Sequence, residues 1–284
     1  MKHTPSDIIR VARKYMGSSQ VELSEAINIA QGTLSRFESG KLEPSVSDWF
    51  NICTFLKIDP RSYEWGFLEL LNSFDSDNDF KLNMKCPWKK SSPTFAVTIR
   101  STIPIWNYLY KMKGKDFLVK FLKSKKIDPD ILAVYDFLIP TNFFLQLMGE
   151  LIDSGAINES NIAAIFKSTN SSEVHGKFYF DKYSRIDNPF EILEEYVQLQ
   201  NKYQSNFKLK LKKMHKNNYQ LQVNAKKDFE ATLDNNQNSK ALSFLNLYQE
   251  SFIKNICNII PGKKVSVESI SNEGNFHTTY ELVL

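Results

Sequence analysis

Residues 31–36 carry polar side chains whose types and spacing suit hydrogen bonding to the edges of nucleic-acid bases. Leu34 and Phe37 stand three residues apart, which places both on the inner face of a helix. The outer face then carries four polar residues, Gln31, Thr33, Ser35 and Arg36. Glutamine can bond adenine and arginine can bond guanine through two hydrogen bonds each, while serine and threonine bond to bases or phosphates. These residue types indicate recognition of bases.

The residues beside this face suit phosphate. Gln20 stands at a predicted helix N-terminus, where the helix dipole and free backbone N–H groups favour an anion, and Ser19 precedes it. Ser39 and Lys41 follow the recognition helix and would reach the nucleic-acid backbone. Gly32 also falls on the reading surface, where its missing side chain either permits close approach of the backbone to DNA or narrows the sequence that is read.

Five short helices are predicted to position these residues. Apolar periodicity places the helices at about 6–15, 19–27, 31–39, from Ser45 or Ser47 onward, and 60–71. Ser19 and Glu22 have the spacing of a capping box. Asn28 lies in the turn before the third helix and tolerates a left-handed backbone, and Gly40 ends that helix.

The segment from Ser19 to Lys41, followed by Pro44, resembles the helix-turn-helix of the phage-repressor (Cro/XRE) family. The matching positions are Gln20 at the start of the second helix, Leu23, Ala26 and Ile29 in the core, Leu34 and Phe37 in the third helix, and Glu38, Gly40 and Pro44. The resemblance covers about residues 8–56 and implies a DNA-binding domain over residues 1–72, whose recognition helix enters the major groove of double-stranded DNA. It also implies a structural ion pair between Arg13 and Glu38. Gly32 departs from the family, which often has a base-contacting side chain there.

Composition and charge limit the other classes of protein. The 284 residues are 42% hydrophobic and 24% charged, which is typical of globular domains, and no apolar run has the about 20 residues that a membrane span needs. The three cysteines are far apart in the sequence, as in proteins of a reducing compartment. The four histidines have no metal-ligand spacing, and no catalytic or nucleotide-binding motif is present. We therefore expect a cytoplasmic protein that is not an enzyme and has no metal, no cofactor and no membrane segment.

The rest of the chain is predicted to be a linker, 73–93, and an α+β domain, 94–284, with a small, mostly antiparallel sheet. Helices are predicted at 105–111, 115–125, 129–137, 141–153, 159–167, 189–203 and 239–259. Strands are predicted at 174–180, 207–213, 219–224, 265–270 and 278–284. The order of these elements resembles the effector-binding and dimerisation domains fused to some arabinose-regulator (AraC-type) proteins and, more faintly, four-vinyl-reductase-type sensor domains. These resemblances imply a homodimer and a small-molecule or protein effector.

Charge is segregated along the chain. Residues 1–72 carry eight basic and nine acidic residues, whereas residues 81–126 carry twelve basic residues and one aspartate. Residues 128–200 are acidic, and residues 201–227 contain eight lysines and no acid. Block 81–126 has two explanations, which are phosphate contacts beyond the recognition helix and docking against the acidic block of a second subunit.

Three functions remain open at this point. The first is a dimeric, sequence-specific transcription regulator that reads a palindromic site. The second is a scaffold protein whose helix-turn-helix does not bind DNA, which the near-neutral charge of residues 1–72 favours. The third, an enzyme with an attached DNA-binding module, has no support in the sequence.

Overall fold

In the computed structural model the chain divides into two compact units. The first comprises Met1–Ser91, Thr98–Arg100 and Met112–Phe137, and the second comprises Ser92–Val97, Ser101–Lys111 and Leu138–Leu284. The structure describes residues 3–71, 84–88, 95–168, 185–186, 188–203, 206–215, 218–227, 229, 239–257, 266–272 and 277–283. An all-α helix-turn-helix segment followed by helices and small antiparallel sheets confirms the predicted fold class.

Local signals in the sequence determine the helices around the turn. The first three helices are α1 (Pro5–Tyr15), α2 (Gln20–Ala26) and α3 (Gln31–Glu38). The side chain of Ser19 accepts a hydrogen bond from the backbone N–H of Glu22, and the Glu22 carboxylate accepts one from the backbone N–H of Ser19, which is the predicted capping box. Asn28 has a left-handed backbone with φ 57°, and Gly40, with φ 70°, follows the end of α3.

The start of α1 differs from the prediction. Thr4 and Asp7 form its capping box, and Pro5 occupies the first helical position, so the helix begins before Ser6. His3 precedes this cap, and its backbone N–H donates to the carbonyl of Gly66 (2.7 Å). The N-terminal segment is therefore bound to the loop that follows the fifth helix.

The fourth helix agrees with the prediction, whereas the fifth is shorter than its apolar pattern predicts. Helix α4 (Val46–Leu56) begins after Ser45, whose side chain accepts from a backbone N–H of the first turn. Helix α5 (Ser62–Trp65) has four residues, so the prediction of a helix over 60–71 is wrong beyond Gly66, which has φ 72°. The following residues are extended because Leu70 pairs with Ile58 and Leu68 pairs with Val134.

Helices α1 to α4 pack around one apolar core. Its most buried side chains include Ile8, Ile9, Ala12, Leu23, Leu34, Ile52 and Leu56. Two positions that the family resemblance placed in the core behave differently. Ala26 is exposed and Ile29 is half-buried, because both lie where α2 ends and the turn to α3 begins.

Two segments after the predicted linker, Thr98–Arg100 and Met112–Phe137, belong to the same unit as the helix-turn-helix. Strand β1 (Ala96–Thr98) leads into α6 (Ile99–Ser124), which is broken at Gly114 (φ 83°, ψ 166°), in the gap between the helices predicted at 105–111 and 115–125. A short 3-10 helix, Pro129–Ala133, replaces the helix predicted over 129–137. The chain then runs extended, because the carbonyls of residues 135 and 137 accept hydrogen bonds from the N–H groups of residues 100 and 99.

The division by contacts therefore differs from the predicted division at 73–93. Residues 112–137 count with the helix-turn-helix, although composition assigned them to the second domain. Most of the predicted linker lies outside the described residues. A shift in composition indicates a boundary along the sequence, but it does not show which later segments pack against the residues before that boundary.

A buried cluster of charges lies within the first unit. The Arg100 guanidinium contacts carboxylate oxygens of Glu69 and Asp136, each at 3.2 Å. It also lies over the rings of Phe67 and Tyr135, with its central carbon 5.8 and 5.4 Å from the ring centres. Burial raises the pKa of Glu69 above its usual value, although the nearby Arg100 opposes that rise. Arg100 therefore supplies the counter-charge for both Glu69 and Asp136.

The second unit is built on helices and an antiparallel sheet. Its helices are α7 (Thr141–Asp153), α8 (Ile162–Lys167), α9 (Pro189–Tyr203) and α10 (Ser239–Cys257), with a 3-10 turn at Glu159–Asn161. Both α7 and α8 pack against α10. The buried Tyr248 of α10 donates from its hydroxyl to the carbonyl of Ser101 (2.8 Å).

The main sheet has the strand order β3-β4-β6-β5, and every neighbouring pair is antiparallel. Its strands are β3 (Phe207–His215), β4 (Asn218–Ala225), β5 (Ser266–Asn272) and β6 (His277–Val283), while β2 (Leu138–Pro140) pairs with β1. Leu209 and Leu221 are buried on one face, and Lys208, Lys210 and Gln222 are exposed on the other. The side chain of Asn201 bonds both backbone groups of Leu209 at 2.8 Å, which covers the free edge of β3.

Several further expectations concern the whole chain. The strand predicted at 174–180 and its His175 lie outside the described residues. Within the described ranges, no cluster of three or more His, Cys, Asp or Glu could hold a metal ion. Searching those same ranges for a helix that is both long and apolar enough to cross a membrane also finds none.

We expect Arg100→Met to lower the free energy of unfolding by about 3–5 kcal/mol at pH 7, because it leaves two carboxylates buried without a cation. The loss should shrink as the pH is lowered, since a protonated carboxyl needs no counter-charge. Denaturant titration measures both effects. Lys240→Met is the control, because Lys240 pairs with Asp153 at the surface, and it should leave stability unchanged. Equal effects of the two substitutions would contradict the role given to Arg100.

Acid should destabilise the first unit through His3. Burial lowers the pKa of His3 to about 4, and the nearby Asp7 only partly offsets this effect. Because the unfolded chain then binds a proton more readily than the folded chain, stability is lost as the pH falls from about 6.5 to about 4. His3→Gln should remove this part of the dependence, as measured by melting temperatures across that range. Identical profiles for wild type and variant would exclude it.

Candidate nucleic-acid interface

Two helices and the turn between them form the reading surface. Helix α2 ends at Ala26, the turn passes through Asn28 in its left-handed conformation, and α3 begins at Gln31. Leu34 and Phe37 are buried, as their spacing predicts. The opposite side of α3 therefore faces solvent.

The predicted reading residues differ in their exposure. Gln31 and Arg36 are exposed, whereas Thr33 and Ser35 are half-buried beside the core positions. Gly32 is exposed, and a side chain added there would meet nothing within 4 Å. The glycine is therefore not required by packing within the described part of the chain.

The ion pair between Arg13 and Glu38 joins α1 to the last residue of α3. Arg13 Nε and Nη2 donate to the two carboxylate oxygens of Glu38 at 2.5 and 2.8 Å, and Nη1 donates to the carbonyl of Ser18 at 2.9 Å. The Glu38 side chain is only 5% exposed. This is the pair that the family resemblance implied, and its two-point geometry fixes both side chains.

Two glutamines extend this ion pair to the surface. Gln20 Nε2 donates to Glu38 Oε2 (2.7 Å), and Gln31 Nε2 donates to Gln20 Oε1 (2.6 Å). Each glutamine is the first residue of its helix. Sequence reasoning assigned them to phosphate and base separately and missed the bond between them, although their matching positions in two adjacent helices were a signal for it. Gln20 keeps one amide N–H for a phosphate.

The remaining predicted contacts lie at the ends of the two helices. The Ser19 side chain caps α2, so its hydroxyl oxygen is already an acceptor and its O–H is the donor for an outside group. Ser39 donates from its hydroxyl to the carbonyl of Arg36 (3.2 Å). Lys41 is exposed beyond the end of α3. All of the predicted contacts in residues 19–41 thus belong to the α2–α3 region, and Gln20 and Gln31 are bonded directly.

Most of the cations of this segment are engaged in ion pairs. Arg10 contacts Asp7 at 2.9 Å and Asp130 at 3.3 Å, and Lys14 contacts Asp130 at 2.6 Å and Asp128 at 3.5 Å. Partial burial lowers the pKa of Lys14, but the hydrogen bond and charge of Asp130 raise it above its usual value. Within residues 3–71 as described, Arg36, Lys41 and Lys57 are the lysine and arginine side chains outside any ion pair.

This fold and this surface define a helix-turn-helix domain, and at the general level the chain is a DNA-binding regulator. A family model described as helix-turn-helix matches residues 9–62. The chain has no match among curated proteins. Similar solved structures include an Fe(II) unliganded H-NOX protein from K. algicida (9% identity, TM-score 0.42), which covers 66% of this chain and 96% of that one. Another is the H-NOX from Shewanella woodyi (12% identity, TM-score 0.41), with 66% and 94% covered. These TM-scores do not establish a common fold.

We expect Glu38→Gln to lower the free energy of unfolding by about 3 kcal/mol, because it leaves the half-buried Arg13 guanidinium without its counter-charge. Glu43→Gln is the matched control at an exposed position, and it should change stability by less than about 0.5 kcal/mol. Urea denaturation of the three proteins measures the difference. A Glu38→Gln variant as stable as the control would show that the pair does not hold α1 to α3.

Proposed function

We propose that this protein is a sequence-specific transcription regulator that binds double-stranded DNA as a homodimer. The observation that carries the proposal is the exposed face of α3, on which Gln31 is held by hydrogen bonds that lead back to a buried ion pair. A base-reading side chain needs a fixed position, because an adenine or guanine edge is recognised by two hydrogen bonds at once. A face that served only packing would not need that support.

The proposed reading follows from the donors and acceptors that remain. Gln31 uses one N–H for Gln20, so its second N–H and its Oε1 are left to bond N7 and the amino group of adenine. Arg36 is exposed one turn further along α3 and has the two-point geometry for guanine. Thr33 and Ser35 are half-buried, and their hydroxyl groups can bond to bases or phosphates. Gly32 contributes its backbone alone.

Contacts to phosphate would set the register on the duplex. Gln20 has one free N–H, Ser19 has its hydroxyl proton, and Ser39 and Lys41 stand at the other end of α3. Glu22 also lies in the first turn of α2, and its carboxylate binds the backbone N–H of Ser19. This negative charge weakens the attraction of that helix end for phosphate.

Dimerisation would offset the weak affinity that a single copy of the domain has for DNA. Two copies related by a twofold axis place two recognition helices about 34 Å apart, which is one turn of DNA, and so read a palindromic site. We assign the subunit contact to the second unit, as the AraC-type resemblance implies. The cytoplasm is the compartment that we propose for this regulator.

A cleft in the second unit supports a sensing role. Its volume is about 400 Å³, and it is lined by Ile152, Asn158, Glu159, Lys240, Ser243 and Phe244. Sites for small molecules commonly have 300–1,000 Å³, roughly, and combine an apolar wall with a few polar groups. Ser243 donates to Glu159 at 2.8 Å across this surface. A small effector that has both apolar and polar groups is the class of ligand that we propose for this cleft.

One observation favours the alternative function, a scaffold with a helix-turn-helix that does not bind DNA. Arg10, Arg13 and Lys14 all face carboxylates, so α1 adds little positive potential to the domain. A scaffold would bind no DNA fragment in a salt-dependent way, whereas the regulator would.

Replacing Gln31 and Arg36 together with alanine should abolish specific DNA binding. Duplexes enriched by the wild-type protein from a random library provide the specific ligand, and fluorescence anisotropy measures the affinity. Each lost pair of base contacts should weaken specific binding by about 1–3 kcal/mol, while binding to a mixed-sequence duplex persists. Gln222→Ala with Lys210→Ala makes similar changes on the sheet of the second unit and should leave both affinities unchanged.

Two results would overturn the proposal. Specific binding that survives the Gln31 and Arg36 substitutions would show that the reading face is elsewhere. A wild-type protein that enriches no sequence and binds no duplex at low salt would favour the scaffold.

A further inference from the structure

Binding to DNA depends on cations, and the helix-turn-helix of this chain has few to offer. Affinity for a duplex comes largely from lysine and arginine side chains that neutralise phosphates and release counterions. Here Arg10, Arg13 and Lys14 are neutralised within the protein. A further source of positive charge would therefore strengthen binding to the phosphate backbone.

The helical segment 115–124, which follows the break at Gly114, supplies such a surface. We call it the lysine helix. Leu118 and Leu122 are buried, so this helix is fixed in the first unit along one side. Lys120 and Lys123 are exposed on the other side, and Lys126 is exposed just beyond the helix.

The three lysines form a regular row. Lysines three residues apart on a helix lie about 5–6 Å apart at their Cβ atoms. Lys126 follows the helix end with a left-handed backbone (φ 60°), and its N–H donates to the carbonyl of Lys123 (2.9 Å), so its backbone is held beside that residue. None of the three lysines pairs with a carboxylate of the described residues. Asp116 is exposed four residues before Lys120 on the same helix, so the three lysines and this one acid leave a net positive surface, which suits a polyanion.

The residues that follow the lysine helix contact the last turn of α1. Asp128, two residues after Lys126, contacts Lys14 at 3.5 Å, and Asp130 contacts the same amine at 2.6 Å. Lys14 is in the last turn of α1, five residues before the Ser19 cap of α2. The ion pairs that neutralise Lys14 therefore attach the segment after Lys126 to the helix that precedes α2.

We propose that Lys120, Lys123 and Lys126 bind the phosphodiester backbone of double-stranded DNA beside the segment that α3 reads. This proposal rests on the proposed function and extends its footprint to a helix that follows the helix-turn-helix by more than fifty residues. The contacts are independent of base sequence, so they raise affinity for all duplexes alike. They also explain how a nearly neutral helix-turn-helix segment holds a polyanion.

The salt dependence of binding tests the proposal. The probe is a fluorescein-labelled 30-base-pair duplex of mixed sequence, titrated with the full chain between about 50 and 200 mM KCl. Each phosphate contact contributes about 0.9 to the slope of log K against log salt concentration. The variant Lys120→Gln, Lys123→Gln, Lys126→Gln should lower that slope by about 2–3 and weaken binding to specific and mixed-sequence duplexes by the same factor.

Two further variants serve as controls. Lys208→Gln, Lys210→Gln, Lys212→Gln removes the same charge from exposed positions of β3, in the second unit, and should keep the wild-type slope. Replacing the three lysines of the lysine helix with arginine should also keep it, because the charge remains. If the triple glutamine variant does not fold, single Lys120→Gln and Lys123→Gln variants should each lower the slope by about 0.9.

The outcomes are separable. A wild-type protein that binds no duplex removes the proposed function and this inference together. Wild-type binding with equal slopes for the two triple glutamine variants overturns the inference and leaves the proposed function intact. A lysine-helix variant that sediments as a monomer while its slope is unchanged would assign the row to a subunit contact, which also overturns it.

Discussion

Arg13 and Glu38 meet inside the first unit, where α1 passes the end of α3. Each charge would be strongly destabilising alone in this position, so the two side chains hold each other in a single geometry. Because Glu38 has a second lone pair on Oε2, it also fixes Gln20, and through Gln20 it fixes Gln31. The reading surface is therefore supported by a charge pair that does not itself face solvent. Such support increases the affinity for the specific site, because the Gln31 side chain is already ordered and loses little conformational entropy when DNA binds.

Other charged side chains of the first unit are also neutralised in pairs or clusters. Carboxylates at Asp128 and Asp130 neutralise cations of α1, and Arg100 balances Glu69 and Asp136 in the interior. Residues 128–136 are thus bound to the helix-turn-helix by ion pairs as well as by apolar packing. The lysine helix immediately before them keeps its charge outward. Between residues 120 and 130, the two aspartates contact cations of α1 and the three lysines of the proposed row are exposed to solvent.

Signals that act over a few residues were sufficient for much of the helix-turn-helix. The Ser19–Glu22 capping box, the left-handed Asn28 and Gly40, and the inward pair in α3 depend on near neighbours, and the sequence predicted each of them. The fifth helix and the helix over 129–137 were wrong because their backbone groups bond to distant segments. Leu68 pairs with Val134, which no local pattern indicates.

The sequence alone determined the class of domain, its recognition helix and the residue types available to read DNA, because helical periodicity and capping are local properties of the chain. Tertiary structure alone decided which of those side chains are held in place and which cations remain available. The bond from Gln31 through Gln20 to Glu38, and the neutralisation of Lys14 by Asp130, join residues 11, 18 and 116 positions apart. Interactions at such separations depend on how the helices pack, and packing is a property of the folded chain.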